Sequence, residues 1–116
     1  MHIGEVAERT ELSLRSLRHW DEVGLLSPSG RSEGGFRLYT EDDVAKILAI
    51  RRMKPLGWSL EEMAAATRDL EALPDPDARN RLAAVLVDAG ERRVQLQRQL
   101  EMADEFIAGL SARLGD

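Results

Sequence analysis

Two arginines and a histidine recur at helical spacing near the start of the chain. In the predicted helix from Leu14 to Glu22, the side chains of Arg15, Arg18 and His19 fall in one sector of about 100°. Guanidinium and imidazole groups arranged in this way suit the phosphates and base edges of a DNA major groove. The sector therefore indicates a recognition helix, and a solvated helix surface without a ligand is the alternative interpretation.

A pair of short helices is predicted to position this sector. Residues 3–10 form the first helix, and Ser13 is expected to cap the N-terminus of the second. Leu17 and Trp20 lie on the side of the second helix opposite to the basic sector, where they can face a core. Gly24 stands where a left-handed C-terminal cap is expected. Two short helices joined by about three residues form the helix-turn-helix pattern.

A turn-rich segment after these helices predicts a small β-hairpin. Leu25-Leu26 and Phe36–Tyr39 are expected to pair as its strands, with Arg31 at the tip. A flexible basic loop beside a recognition helix is typical of the wing of a DNA-binding domain. A surface hairpin with incidental arginines is the alternative that this segment leaves open.

Two more capped helices are expected after the hairpin. Thr40 begins the first, over residues 41–54, and Ser59 begins the second, over residues 60–70, each with an acidic residue at its third helical position. Trp58 lies between them and is expected to pack in the core or within a wing.

The last third of the chain has a single helical pattern. Asp75 as N-cap and Pro76 as first helical residue predict a helix to about Ala112, roughly 55 Å long. A series of residues along it follows steps of four and three, and we call this series the seam: Leu82, Leu86, Ala89, Arg93, Leu96, Leu100, Ala103, Ile107, Leu110 and Leu114. An antiparallel coiled coil of two copies would bury the seam, and packing within one chain is the alternative.

Composition restricts the class of protein. The chain has 116 residues and a net charge of −5; residues 1–58 are neutral, and residues 59–116 hold seven cations against twelve anions. Cysteine is absent, so thiolate metal sites and disulfides are not expected. We find neither a secretion signal nor a membrane span, which predicts a cytoplasmic protein without membrane contact. No catalytic residues, metal site or cofactor are expected, because nucleophile–base pairs, metal-ligand spacings and phosphate-binding glycine loops are missing.

These patterns together predict a mainly α fold with two domains. Residues 1–73 are expected to form a winged helix-turn-helix DNA-binding domain, and residues 74–116 a coiled-coil dimerisation helix.

Four segments of the chain resemble the MerR family of bacterial transcription regulators. They lie in the family's order between residue 3 and about residue 70, and are Ile3-Gly4-Glu5-Val6-Ala7, the run from Leu14 to Leu26, Gly35-Phe36-Arg37-Leu38-Tyr39 and the run from Leu56 to Glu62. The resemblance implies a homodimer that binds near-palindromic double-stranded promoter DNA. It also implies that the dimer distorts the promoter spacer and so acts indirectly on RNA polymerase holoenzyme.

The resemblance also assigns the DNA contacts residue by residue. Arg15, Arg18 and His19 would face the major groove, and Arg37 and Tyr39 would hold phosphates from the first wing. The complete predicted set is Arg15, Ser16, Arg18, His19, Arg31, Arg37, Tyr39, Trp58 and Ser59. The chain departs from the family at two places: His19-Trp20 stands where two tyrosines are usual, and Pro55 interrupts a stretch that is commonly helical.

The alternative function is an architectural DNA-bending protein of excisionase type, which shares the winged head but senses no ligand. The long seam favours the regulator, because a bending factor can act as a monomer. The sequence indicates no effector and does not distinguish an activator from a repressor.

Overall fold

The computed structural model describes residues 1–26, 30–31 and 34–115, without the side chain of Arg31. Five α-helices, one short 3₁₀ helix and a two-stranded antiparallel sheet are present in this part of the chain. Their bounds are α1 Ile3–Thr10, α2 Leu14–Glu22, β1 Gly30–Arg31, β2 Arg37–Leu38, α3 Glu41–Met53, the 3₁₀ helix Lys54–Leu56, α4 Leu60–Ala72 and α5 Pro76–Arg113.

Helices α1 and α2 form the predicted helix-turn-helix. The hydroxyl of Ser13 accepts a hydrogen bond from the N–H of Ser16 at 3.0 Å, which confirms Ser13 as the N-cap of α2. Gly24 follows with φ of 77°, the left-handed conformation expected of it. Leu17 and Trp20 of α2 are buried, so the basic sector is left on the outer side of the helix.

The hairpin forms, but its first strand lies later in the chain than predicted. Gly30 pairs with Leu38, and Arg31 pairs with Arg37. Arg31 therefore lies within a strand and not at the hairpin tip, while residues 27–29 and 32–33 lie outside the described part of the chain.

The prediction that Leu25 and Leu26 form the first strand is wrong. Both side chains are buried in the core, whereas successive residues of a strand point to opposite faces of the sheet. Their backbone N–H groups donate to the carbonyl oxygen of Trp20 at 2.9 and 3.2 Å, and so are unavailable to a second strand. Burial of both side chains and hydrogen bonds to the last turn of α2 therefore determine the conformation of Leu25 and Leu26.

Helices α3 and α4 begin at the capping boxes that the sequence predicts. The hydroxyl of Thr40 accepts from the N–H of Asp43, and the hydroxyl of Ser59 accepts from that of Glu62. These helices close a core over α1, α2 and β2, and its members are Val6, Leu17, Trp20, Leu25, Leu26, Tyr39, Val44, Ile47, Ile50 and Met63. We call this assembly of α1 to α4 with the hairpin the head.

Helix α5 has 38 residues, about 57 Å of helix, and it contacts the head along its first half, as far as Arg92. Asp75 caps it, accepting from the N–H of Ala78 at 3.0 Å, and Ala78 is fully buried. Arg81 donates to the carboxylate of Asp69 on α4 at 2.8 and 3.0 Å. The division of the chain near residue 73 into two domains stays a prediction, since the start of α5 packs on α4.

The Asp69–Arg81 pair predicts how stability depends on pH. The hydrogen bond and charge of Arg81 hold the pKa of Asp69 below its usual value of 3.8. A carboxylate with a lowered pKa stabilises the folded state above its unfolded pKa, and this contribution is lost as the pH falls through the folded value. We expect Asp69→Asn to lower the melting temperature at pH 7, and to lose less stability than the wild type below about pH 4.

Circular dichroism melts between pH 7 and pH 2 measure this effect, with Asp104→Asn, an exposed acid far along α5, as the control. If Asp69→Asn and the wild type lose stability in parallel as the pH falls, the pair does not contribute as described.

Candidate nucleic-acid interface

The outer side of α2 presents the predicted basic sector. Arg15, Arg18 and His19 are exposed, and within the described residues neither arginine forms an ion pair with a carboxylate. Ser16 is partly buried, and its N–H and hydroxyl both bond to the hydroxyl of Ser13 at the start of the helix. The structure therefore keeps two guanidinium groups and an imidazole available on one surface.

Two depressions meet on this surface at Arg18. A groove of about 930 Å³ runs along α2 past Arg15 and His19 to Lys54. A cleft of about 370 Å³ lies between α2 and the hairpin, and Arg18, Arg37 and Tyr39 line it. The structure thus brings together residues from the recognition helix, the first wing and the 3₁₀ helix, and cations border both concave surfaces.

Arg37 of the hairpin is held against the recognition helix. Its guanidinium forms a salt bridge with Asp21 of α2, whose side chain is 10% exposed, while that of Arg37 remains 44% exposed. This contact fixes the wing beside α2. The phosphate contact predicted for Arg37 stays a prediction, and its half-exposed side chain leaves room for one. The backbone of Arg31 lies opposite Arg37 in the sheet.

Tyr39 lies inside the head, where a phosphate cannot reach its hydroxyl without a rearrangement. The residue is 2% exposed, and its hydroxyl has no hydrogen-bond partner among the described residues. Burial raises the pKa of this phenol, and the negative charge of Asp21 raises it further. The contact between Tyr39 and DNA stays a prediction, and it requires that the hydroxyl become accessible.

The segment from Lys54 to Ser59, which we call the second wing, connects α3 to α4. Pro55 stands in the 3₁₀ helix at the end of α3, and Gly57 follows with φ of 82°. Ser59 caps α4, so its hydroxyl is already engaged by the N–H of Glu62 at 3.1 Å. Trp58 is partly buried and packs against the core, as the sequence indicates for a packed wing residue. DNA contacts by Trp58 and Ser59 stay predictions.

Two residues of α5 bind the second wing and were missed by the sequence analysis. The indole N–H of Trp58 donates to the carboxylate of Asp88 at 2.7 Å. Arg92 donates to the same carboxylate at 2.8 Å and to the carbonyl of Leu56 at 3.1 Å, and its guanidinium lies 5.4 Å from the Trp58 ring centroid. The spacing of four between Asp88 and Arg92 predicts an ion pair on α5. The contact with a wing 30 to 36 residues earlier in the chain has no sequence signal.

The seam is largely uncovered in the single chain. Leu82 and Ala89, close to the head, are partly buried, whereas Leu100 and Ile107 are 55% and 62% exposed. The other members of the predicted dimer surface, all exposed, are Leu86, Arg93, Leu96, Ala103 and Leu110. None of the helices in the described ranges is long and apolar enough to cross a membrane.

The first 70 residues match the model of a protein family described as MerR HTH family regulatory protein. The chain belongs to the MerR family. It is 37% identical over 100 residues to the HTH-type transcriptional regulator CueR of Vibrio cholerae, and the match covers 86% of this chain and 68% of CueR. It is 40% identical over 73 residues to the nodulation protein NolA of Bradyrhizobium elkanii, which is 63% of this chain and 33% of NolA. The match thus spans only about a third of the length of NolA.

The fold agrees with this membership. A solved structure, described as HiNmlR, a MerR family regulator lacking the sensor domain and bound to promoter DNA, superimposes with a TM-score of 0.72 and 24% identity. The superposition covers 99% of this chain and 94% of that one. The predicted family and the mainly α winged fold with a long C-terminal helix are confirmed. The matched family is described as one of HTH regulatory proteins, and CueR as an HTH-type transcriptional regulator.

Tyr39→Phe tests the buried hydroxyl. An unpartnered hydroxyl costs desolvation free energy in the folded state, on the order of 1–3 kcal/mol. We therefore expect Tyr39→Phe to keep or raise the melting temperature in the absence of DNA. A clear decrease would mean that the hydroxyl has a partner in solution. The affinity of the same variant for DNA then tests the predicted phosphate contact separately.

Proposed function

We propose that two copies of this chain pair through α5 and bind near-palindromic promoter DNA, with one α2 in each of two major grooves. The observation that carries the proposal is that the chain exposes both the basic sector of α2 and the apolar seam of α5. The recognition helix needs a groove, and the seam needs a second helix. A symmetric dimer on symmetric DNA satisfies both requirements.

The basic surface supports the DNA half of the proposal. Arg15 and Arg18 lie in the middle of α2 without carboxylate partners among the described residues, so no ion pair has to be broken before DNA binds. Arginine forms paired hydrogen bonds with guanine in the major groove, and it also binds phosphates. Arg37 and Lys54 border the same surface from either side and are placed to bind the adjacent backbone.

The acidic net charge does not oppose this function, because the charges are segregated. The excess of anions lies in residues 59–116, most of which belong to α4 and α5. Screening limits the reach of exposed charges to about 8–10 Å at physiological salt, so acids along α5 have little influence on a surface formed by α2 and the hairpin.

The length of the seam supports an antiparallel pair. The midpoint between Leu82 and Leu114 lies near residue 98, and the head packs on α5 near residue 84. In an antiparallel pair the two heads would therefore lie about 40 Å apart along the helix axis, at 1.5 Å per residue. Helix-turn-helix dimers bind half-sites one DNA turn apart, roughly 34–36 Å. The two spans are similar, so each head can reach its own half-site.

Distortion of the promoter spacer is the mechanistic part of the proposal. Where the spacing or phase of the half-sites on straight DNA differs from that of the two heads, both half-sites are bound only if the DNA between them bends or untwists, and the free energy of binding both half-sites offsets the deformation energy. In this way the dimer would realign promoter elements for RNA polymerase in the cytoplasm. The excisionase-type alternative is not favoured, since the matched family is one of transcription regulators.

Arg18→Ala tests the recognition surface. If Arg18 binds a base, the affinity for specific DNA should fall by about 1–3 kcal/mol; if it binds a phosphate, the salt dependence of binding should become less steep. Fluorescence anisotropy at several salt concentrations, with a duplex selected by the wild type from random sequences, measures both quantities. Arg98→Ala, at an exposed position of α5, is the charge-matched control. Unchanged affinity and salt dependence in Arg18→Ala would remove this residue from the interface.

Leu100→Asp tests the seam. A carboxylate at the centre of a coiled coil must be desolvated without a partner, so the dimer should dissociate and the affinity for a two-half-site duplex should fall. Light scattering gives the mass of each species. Gln95→Asp introduces the same charge away from the seam and should leave the dimer intact. A dimer that survives Leu100→Asp would show that the seam is misassigned.

A further inference from the structure

Arg92 and Asp88 attach α5 to the second wing, and the guanidinium of Arg92 also forms an ion pair with Glu62 of α4 at 3.8 Å. This guanidinium donates from Nη1 to the carbonyl of Leu56, donates from Nε to the carboxylate of Asp88, and lies over the ring of Trp58. A planar guanidinium can make such contacts at the same time, through its edge and its face, whereas an ammonium group cannot. The side chain is 31% exposed, so the contacts are partly shielded from water.

Two groups beside Arg92 accept hydrogen bonds from its guanidinium, the carbonyl of Leu56 in the second wing and the carboxylate of Asp88. The carbonyl of Leu56 ends the 3₁₀ helix, where the usual helical donors are missing. Gly57 follows with φ of 82°, and a Cβ there would lie 3.7 Å from Nη1 of Arg92. The carboxylate of Asp88 accepts from both Trp58 and Arg92, and these two donors lower its pKa. Trp58, Asp88 and Arg92 therefore form one connected set of contacts.

A second contact connects the wing to the recognition helix. The ammonium group of Lys54, at the start of the 3₁₀ helix, lies 5.5 Å from the ring centroid of Trp20 in α2. Trp20 is buried beneath the basic sector. A continuous series of contacts thus leads from α5 through the second wing to the helix proposed to enter the major groove.

The neighbouring residue Arg93 lies in the seam. Successive residues of a helix point about 100° apart, so with Arg92 on the second wing the side chain of Arg93 points away from the wing and is available to a partner helix. The rotation of α5 in the dimer and the position of the wing are therefore coupled through two adjacent residues.

We infer that Arg92 is a positioning residue that sets the angle between the second wing and the dimerisation helix, and thereby the extent to which bound DNA is bent. This inference rests on the proposed function. In this inference Arg92 changes how far the bound DNA is bent, and it has only a small effect on the contacts between α2 and each half-site.

The test is the end-to-end distance of DNA in the complex. A duplex selected by the wild type, with a donor fluorophore at one end and an acceptor at the other, reports bending by energy transfer, while anisotropy on the same duplex reports affinity. We expect Arg92→Ala to lower the ratio of bent to straight bound DNA about tenfold, the size expected for lost charge-assisted hydrogen bonds. The affinity for a duplex with a single half-site should change less than about threefold, because α2 is untouched.

Three further variants separate positioning from general stability. Arg92→Lys keeps the charge but loses the planar contacts, and should bend DNA to an intermediate extent. Trp58→Phe removes the indole donor to Asp88, and should reduce bending if the network sets the wing. Arg98→Ala, on the same helix, should bend DNA like the wild type. Light scattering and melting temperatures of all variants show whether each is a folded dimer.

The outcomes distinguish this inference from the function on which it rests. If the wild type binds the duplex without bending it, the proposed distortion fails and the role of Arg92 fails with it. If the wild type bends DNA and folded Arg92→Ala bends it equally, the inference alone is overturned. Should Arg92→Ala not fold, Arg92→Lys and Trp58→Phe decide: normal bending by both overturns the inference, and reduced bending by both supports it.

Discussion

An apolar seam on a helix that extends far beyond the head is the constraint on which the proposed assembly depends. The first half of α5 lies against the head, through the buried Ala78, the Asp69–Arg81 pair and the contacts of Arg92. Beyond Arg92 the helix continues for 21 residues to Arg113, and Leu100 and Ile107 stand exposed there. No element of the described chain covers these side chains, so in our proposal a second copy buries them and the regulator is a dimer.

The head has the opposite character, because its elements are fixed by local contacts. Caps at Ser13, Thr40 and Ser59 determine where three helices begin, and a salt bridge between Arg37 and Asp21 holds the first wing to α2. The head is therefore suited to move as one body. In our proposal the dimerisation helix determines where that body stands on DNA, and contacts at the second wing transmit this position.

Local features of the fold were predictable from the sequence, and distant ones were not. The cap residues are recognised by side-chain type and by spacing within four residues. The sequence therefore predicts the first and last residues of the helices almost correctly. Leu25 and Leu26 look like strand residues locally, but the core buries both, and a sequence pattern does not show which chain segments will cover them. The basic sector of α2 could be predicted, because its three side chains recur at helical spacing in the sequence. The role of Arg92 at the second wing was not predictable, because its partners there, Trp58 and Leu56, lie 34 and 36 residues earlier in the chain.

In the proposed complex, a symmetric dimer holds two half-sites and deforms the DNA between them, and the whole proposal rests on this claim. Hydroxyl-radical footprinting of the wild type on the promoter region of its own gene measures both features in one experiment. We predict two protected segments of equal length related by a dyad, about one helical turn apart, with altered reactivity at the centre where the groove width changes. A single protected segment, or two segments with unperturbed DNA between them, would contradict the claim.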